Sequence, residues 1–413
     1  AVIEAKKAYS SFLPKITVQT GAAFADNETE AAFFSNLLNR KFFAELNVEQ
    51  KLFSYPAIKA IDAARKNRAK KDIDLQIIRQ DLKKTVAITF LSIIENEDNV
   101  AVLNDIVNRL REFQEMALTE YRLGITKNDY SPLIRERLVK AQIELLDAKH
   151  ELYVSKVILN KLWSRPADNK FVLSRTGFDS NAMVRLMRGF ESFSEKAGIQ
   201  NRLVQFFIEH GINNSLMLES AALTAGLYRD LLAQNRGKLY PEISLHAKYS
   251  YGSEFDPELN ERKDYWLVGG LINIPLYLGG TGRKIDRILQ THLDEVLFRK
   301  DARRLELMGD IVSRVDKFYT YISTLPTYYD LRNLSKANLR AESEKYGSKE
   351  ISYLELLRLE ENLAENETGL IENRYGFFKS YVELLYIIGE DYLPVNSPEE
   401  KAVFNKIIEY MNN

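Results

Sequence analysis

The sequence predicts an α+β protein in which four amphipathic β-strands alternate with very long α-helices. Three observations predict this class. Four segments alternate between apolar and polar side chains, as half-buried strands do. Between them, apolar residues recur at three- and four-residue steps over long stretches, as in helices that pack lengthwise. The whole order of strands and helices also occurs twice along the chain, which indicates an internal tandem duplication.

The duplication is visible in three short matches that keep one order and a nearly constant offset. Leu13-Pro14-Lys15-Ile16-Thr17-Val18 recurs as Tyr240-Pro241-Glu242-Ile243-Ser244-Leu245. Lys51-Leu52-Phe53 recurs as Pro275-Leu276-Tyr277, and Tyr121-Arg122-Leu123-Gly124 corresponds to the segment around Lys345-Tyr346-Gly347. These matches predict repeat one at 1–163, a linker at 164–202, repeat two at 203–390 and a tail at 391–413. Ala1 aligns with Tyr228, so repeat one lacks an equivalent of about residues 203–227, and we expect an N-terminally trimmed chain.

The strands are predicted at 14–25 and 42–54 in repeat one and at 241–252 and 265–278 in repeat two. In the first strand Ile16 and Val18 share one face, and Lys15 and Thr17 share the other. Such alternation suits a soluble sheet packed on a core, but strands of this length also cross a bilayer at a tilt. Aromatic residues gather at the strand ends, as at membrane interfaces: Phe42, Phe43, Tyr55, Tyr240, Tyr251 and Tyr265.

The helices are predicted at 56–122, 131–163, 282–345 and 351–390, with a further helix at about 215–237. Leu305, Met308, Val312, Val315, Phe318, Ile322 and Leu325 follow the spacing of a coiled-coil seam. Pro326 is expected to kink its helix. A helix over 56–122 is roughly 100 Å long at 1.5 Å per residue, too long to cap a small sheet. This length favours the bilayer interpretation of the strands over the soluble one.

Four strands cannot close a barrel, and an open sheet edge cannot lie in lipid because its backbone amides would have no partner. The sheet is therefore expected to be completed by further copies of the chain. Three copies give a 12-stranded barrel with an aqueous lumen. Closure alone leaves two, three or four copies open.

Composition argues against several other functions. The chain has no cysteine and a net charge of −1, which excludes disulfides and thiol chemistry and disfavours nucleic-acid binding. His150, His210, His246 and His292 are too far apart in sequence to suggest a metal site. No nucleophile–base constellation or cofactor loop is present, so we expect neither an enzyme nor a bound cofactor. Glu360-Glu361 is interpreted as helix-surface charge, and the basic run at 65–71 as a solvated helix face, with lipid-headgroup contact as the alternative.

The strand motifs resemble those of TolC-like outer-membrane efflux proteins, the outer-membrane factors. The most specific motif is Val268-Gly-Gly-Leu-Ile-Asn-Ile-Pro-Leu-Tyr-Leu-Gly-Gly280, and the resemblance covers nearly the whole chain. It implies a homotrimer with a shared 12-stranded β-barrel, a long α-helical barrel that crosses the periplasm, and a mixed equatorial region at 164–202 and 391–413. It also implies a passive exit duct in outer-membrane lipid, which works with a periplasmic adaptor and an inner-membrane pump in tripartite efflux or type I secretion.

The resemblance further implies site residues at the periplasmic tip, where the paired helices turn. The positions that match the adaptor-contact turns are Leu123, Gly124, Ile125, Tyr346, Gly347 and Ser348. In this family a closed tip is held by polar and ionic contacts between neighbouring helices, and the positions that match this gate are Asp129, Tyr130, Lys349 and Tyr353. Asp129 and Lys349 stand where the ionic partners occur. Some family members carry aspartates six residues after the glycines. Tyrosines stand there in this chain, so an acidic, cation-selective ring is not expected at these positions, and Glu350 or Glu355 is the alternative source of one. A plain helix C-cap is an equally good explanation of each glycine.

The alternative to a channel is a soluble coiled-coil scaffold or tether, with the hairpin strands forming a dimerisation sheet. A scaffold of that kind would bury the apolar sheet face within its own assembly and would dissolve without detergent.

Overall fold

The computed structural model describes residues 2–21, 40–173, 198–254, 262–346, 352–390, 402 and 405–410. It is mostly helical with one four-stranded sheet, which confirms the predicted α+β class. The chain divides into two compact units. The first comprises Ala1–Leu75 and Leu216–Arg303, and the second comprises Gln76–Ser215 and Arg304–Asn413. Among the described helices, none combines the length and the apolar character needed to cross a bilayer.

The sheet lies in the first unit. Its strands are β1 (Lys15–Gly21), β2 (Arg40–Phe53), β3 (Glu242–Glu254) and β4 (Arg262–Asn273). All neighbours are antiparallel in the order β1-β2-β3-β4, so β1 and β4 are the two edges. Lys15 pairs with Glu49, Phe53 with Ile243, and Glu242 with Asn273. The starts of β1 and β3 and the ends of β2 and β4 therefore meet at one end of the sheet, which is also where the helices attach.

The strand ends lie within three residues of the predicted ends except at the end of β4, and the predicted end of the first strand is untested. Residues 22–25, which were predicted to continue the first strand, lie outside the described residues. β4 ends at Asn273, five residues before the predicted boundary, because Pro275 has no amide hydrogen for a strand ladder. Gly279 and Gly280, in the turn just before the next helix, have φ values of 65° and 71°, a conformation that favours glycine.

The helices are, in chain order, α1 (Val2–Tyr9), α2 (Tyr55–Arg122), α3 (Ser131–Leu162), α4 (Ile199–Asn214), α5 (Leu216–Arg236), α6 (Thr281–Tyr346) and α7 (Tyr353–Ile387). Residues 405–410 are also helical. The helix of α6 continues without a break through Pro326, where the sequence predicted a kink.

Short contacts join the helices to the sheet in the first unit. The rings of Tyr55 at the start of α2 and Tyr240 before β3 lie 4.9 Å apart, edge to face. The side-chain amide of Asn235 donates a hydrogen bond to the carbonyl of Gly282 at 2.8 Å, which ties the end of α5 to the start of α6. These contacts fix the helical end of the sheet.

The core of the second unit is built from α2, α4, α6 and α7 together with residue 407. Its buried aromatic residues include Phe206, Phe207, Phe318, Phe377, Phe378 and Tyr381. Three of the seven seam residues predicted from sequence belong to it, Val315, Phe318 and Ile322, and Leu325 is also buried. The prediction is wrong for Leu305 and Val312, which are 69% and 46% exposed. Packing of apolar stripes from neighbouring helices stabilises this unit.

The pair α6 and α7 carries a second kind of contact, in which tyrosine rings lie over glycines. A Cβ atom added at Gly376 would lie 2.4 Å from the Tyr321 ring, and one added at Gly369 would lie 2.7 Å from the Tyr328 ring. A residue with a side chain at either glycine position would therefore collide with the tyrosine ring above it.

Candidate functional site

One face of the four-stranded sheet, which we call the outer face, is apolar and exposed; the opposite face is called the inner face. Direct cross-strand partners share a face, so the row Val18, Leu46, Tyr249 and Trp266 lies on one side. Val18 is 68% exposed and Ile272 63% exposed, rather than packed on other parts of the chain. The exposed apolar residues of this face are Ile16, Val18, Leu46, Leu245, Tyr249, Tyr251, Trp266, Val268 and Ile272. A contiguous apolar surface of this kind indicates contact with lipid or another protein.

The inner face is charged on β1, β2 and β3. The ammonium nitrogen of Lys248 forms an ion pair with a carboxylate oxygen of Glu45 at 2.8 Å, and that of Lys51 lies 3.6 Å from a carboxylate oxygen of Glu242. Glu242 also accepts a hydrogen bond from the Ser54 hydroxyl at 2.5 Å. Side chains with this many charges need water on their side of the sheet.

β4 departs from this pattern, and the sequence reasoning missed it. Leu267 and Leu271 pair with Lys248 and Ser244, so they lie on the inner face although they are apolar. Leu271 is 53% exposed. The sequence feature that could have indicated apolar residues on both faces of β4 is the continuous apolar run Trp266-Leu267-Val268, which does not alternate. The inner face therefore carries an apolar edge next to its charged strands.

The turn after α2 contains three of the predicted adaptor-contact residues. The amide of Ile125 donates to the carbonyl of Glu120 at 2.9 Å, and the amide of Gly124 donates to the carbonyl of Tyr121 at 3.0 Å. This is a Schellman motif, and Gly124 takes the positive φ of 68° that it requires. The motif leaves Leu123, which is 69% exposed, and Ile125 on the surface. Two apolar side chains are thus presented on a rigid turn.

The second turn is described only in part. Tyr346 is the last residue of α6, and its side chain lies outside the described residues, as do Gly347, Ser348 and Lys349. The predicted pairing of Asp129 with Lys349 is therefore untested.

The described gate residues have clear local roles. The Asp129 carboxylate accepts a hydrogen bond from the amide of Ser131 at 2.9 Å, so it caps the start of α3. The rings of Tyr130 and Tyr353 lie 5.9 Å apart. Tyr353 is buried with Ala117 and Ile134, so within the chain it packs between helices. These contacts join the starts of α3 and α7.

A buried ion-pair cluster lies seven residues into α7. The guanidinium of Arg109 on α2 donates to both carboxylate oxygens of Glu360 at 2.8 and 3.0 Å, and to Glu367 at 3.0 Å. Arg137 on α3 pairs with Glu361 at 3.3 Å. The cluster therefore joins three helices by charge-assisted hydrogen bonds.

Glu360 corrects the sequence interpretation, in which it was helix-surface charge. Its side chain is 1% exposed, while that of Glu361 is 44% exposed. Burial raises the pKa of Glu360 to about 7, although Arg109 acts in the opposite direction. Glu360 lies four residues after Leu356 and three before Leu363, both buried, so the helical spacing placed it on the apolar stripe.

Comparison with known proteins identifies the fold. No protein-family model matches the chain, and no curated protein matches it. Among solved structures, the outer membrane protein VceC of Vibrio cholerae matches with a TM-score of 0.73 and 14% identity, over 94% of this chain and 89% of that one. The CmeC outer membrane channel of Campylobacter jejuni matches with a TM-score of 0.71 and 15% identity, over 99% and 85%.

A third structure, the open state of the MtrE outer membrane channel of Neisseria gonorrhoeae, matches with a TM-score of 0.69 and 13% identity, over 94% of this chain and 83% of that one. The matches extend over strands and helices together, as the resemblance of the strand motifs implied. This chain has the fold of the TolC-like outer-membrane efflux channels.

Proposed function

We propose that this chain forms a passive exit channel across the outer membrane and periplasm. The observation that carries the proposal is the two-faced sheet, with exposed apolar residues on one side and ion pairs such as Glu45–Lys248 on the other. That arrangement suits a barrel wall with lipid outside and water inside. The fold shared with outer-membrane channels supports the same function.

The proposed assembly is a homotrimer. β1 and β4 are the edges of the sheet, and in lipid each edge needs a hydrogen-bonding partner. Pairing β4 of one copy with β1 of the next satisfies both edges and gives a closed ring. Three copies supply 12 strands, which leaves an aqueous lumen between the charged inner faces.

The channel test is a conductance measurement in planar bilayers. Purified protein should insert from detergent and give uniform conductance steps, because the inner face is hydrated. A soluble scaffold with a dimerisation sheet would remain an ordered oligomer in buffer without detergent and would give no steps. That result would favour the scaffold.

The proposed partners are a periplasmic adaptor and an inner-membrane pump, of either tripartite efflux or type I secretion. The surface assigned to the adaptor comprises Leu123, Gly124 and Ile125, with Tyr346, Gly347 and Ser348 as the second turn. The exposed side chains of Leu123 and Ile125 on the Schellman turn support this assignment, because apolar residues on a rigid turn suit a packed contact.

The proposed gate comprises Asp129, Tyr130, Lys349 and Tyr353. Asp129→Asn combined with Lys349→Gln should raise the conductance of the reconstituted channel about five-fold, because an exposed pair contributes up to about 1 kcal/mol to the closed tip. Asparagine keeps the oxygen that accepts from Ser131, so the start of α3 remains capped. Single-channel recording in planar bilayers measures the change.

The matched variant is Asp129→Ala with Lys349→Gln, which removes both the charge and the cap. A rise in conductance only with alanine would assign the effect to fraying of α3. Equal conductance of all three proteins would remove Asp129 and Lys349 from the gate.

A further inference from the structure

The helical end of the sheet carries six exposed cations, which we call the basic rim. Among the residues that the structure describes, none of the six has a carboxylate within ion-pair distance, whereas nearby Lys59 pairs with Asp62 at 3.0 Å and Arg236 with Asp286 at 2.9 Å. The basic rim comprises Lys6, Lys7, Lys238, Arg283, Lys284 and Arg287. The chain as a whole has a net charge of −1, so this excess of positive charge is local.

The topology of the first unit brings these cations to one end of the sheet. Lys6 and Lys7 lie on α1, which leads into β1, and Lys238 lies in the turn that leads into β3. Arg283, Lys284 and Arg287 lie in the first two turns of α6, which follows β4. Since β1 and β3 start where β4 ends, all three segments attach to the same end.

Exposed apolar and aromatic side chains lie in the same segments. Tyr277, between β4 and α6, is 80% exposed, and Leu276 beside it is also exposed. Tyr9 and Tyr240 are exposed at the ends of the segments that lead into β1 and β3. Tyrosine with lysine or arginine beside an apolar surface is the composition found at membrane–water interfaces.

The cations of α6 also oppose the stability of their own helix. The first turn of α6 contains no acidic residue, and the helix dipole disfavours positive charge at this end. A local arrangement that costs stability is expected where the residues serve a purpose outside the chain.

We propose that the basic rim binds the phosphate groups of anionic phospholipids in the membrane leaflet that borders the helices. The inference rests on the proposed function, since it needs the sheet to lie in a bilayer. The apolar outer face then contacts acyl chains, the exposed tyrosines lie at the headgroup level, and the cations meet the phosphates just beyond them.

The test compares lipid retention by two adjacent Arg–Lys pairs on α6. Arg283→Gln with Lys284→Gln removes two rim cations, and Arg299→Gln with Lys300→Gln removes the same residue types about 24 Å further along the helix. Detergent-purified trimer is mixed with phosphatidylglycerol or phosphatidylethanolamine, and native mass spectrometry counts the lipids retained. Wild type should retain phosphatidylglycerol preferentially. The rim variant should lose about ten-fold or more in that affinity, while the distal variant keeps it.

Two outcomes would overturn the proposal: equal retention of both lipids by wild type, or equal loss in the two variants. The same spectra report the number of chains, so a loss caused by dissociation of the trimer is recognised directly. Conductance in purely zwitterionic bilayers is recorded for each preparation. Conduction without a lipid preference overturns only the proposal that the basic rim binds anionic lipid. Absence of conduction in every lipid overturns the proposed channel function itself.

Discussion

Replacing Arg109 by methionine is expected to lower the free energy of unfolding by about 3–5 kcal/mol at pH 8, because it leaves a buried carboxylate without its partner. Arg109 donates two hydrogen bonds to Glu360 and one to Glu367, and methionine would lose all three. Methionine keeps the apolar stem that packs between α2 and α7. Thermal unfolding followed by the helical circular dichroism signal measures the loss.

The loss should be smaller at pH 5. The pKa of Glu360 is about 7 in the folded chain and 4.5 when the group is fully hydrated. A carboxyl with a raised folded-state pKa contributes stability that is fully present below about pH 4.5 and is lost as the pH rises through about 7. Without Arg109 this pKa rises further, so at pH 5 Glu360 is neutral in the Arg109→Met protein and most of the penalty disappears.

Glu360→Gln is the matched control for this prediction. The glutamine fills the same volume without charge, so this variant should show a flatter stability profile between pH 5 and 8 than wild type. The double variant Arg109→Met with Glu360→Gln should regain most of the loss, which a double-mutant cycle quantifies. Equal destabilisation of Arg109→Met at pH 5 and pH 8 would contradict the assignment of a titrating Glu360.

Under the proposed channel function, Leu46→Arg is expected to destabilise the sheet strongly. Leu46 lies on the exposed apolar face in the middle of β2, and an arginine facing lipid near the bilayer centre costs about 2–4 kcal/mol. Asn47 lies on the opposite, charged face, where it pairs with Lys248, so Asn47→Arg should be tolerated. Denaturant unfolding from lipid vesicles measures the difference in stability, and the yield of membrane-assembled protein provides a second readout.

The pair of variants also distinguishes the channel from the scaffold. A scaffold would use the apolar face for a protein interface, so Leu46→Arg would then release soluble dissociated chains. If Leu46→Arg and Asn47→Arg were equally stable in vesicles, neither face of β2 would contact lipid.

Much of this fold could be predicted because apolar residues recur at the regular spacing of a strand or of a helix along most elements. In β1, Ile16 and Val18 alternate with Lys15 and Thr17, and both faces are as the period-two pattern indicates. The long helices follow from seams such as Val315, Phe318 and Ile322, all buried. The duplication, the trimer and the pairing of Asp129 with Lys349 stay predictions, because they concern sequence ancestry, other copies, or residues outside those described.

The sequence did not predict the burial of Glu360 or the position of Leu271 on the charged face. Both features have the same physical cause, because each depends on the residue that a neighbouring element places opposite. Glu360 has the charge of a surface residue, and only the guanidinium of Arg109, far away in sequence, makes its burial possible. Leu271 has the side chain of a core residue, yet the register of β4 with β3 puts it on the charged face. Composition and periodicity describe one element at a time and cannot supply these partners.

The tyrosine–glycine contacts of α6 and α7 restrict how this hairpin can change length. Tyr321 and Tyr328 are seven residues apart on α6, and the glycines beneath them, Gly376 and Gly369, are seven apart on α7. An insertion of one or two residues in either helix would place a tyrosine over a side chain. Variants with a longer or shorter α6–α7 hairpin are thus expected to gain or lose whole heptads, in matched numbers on both helices.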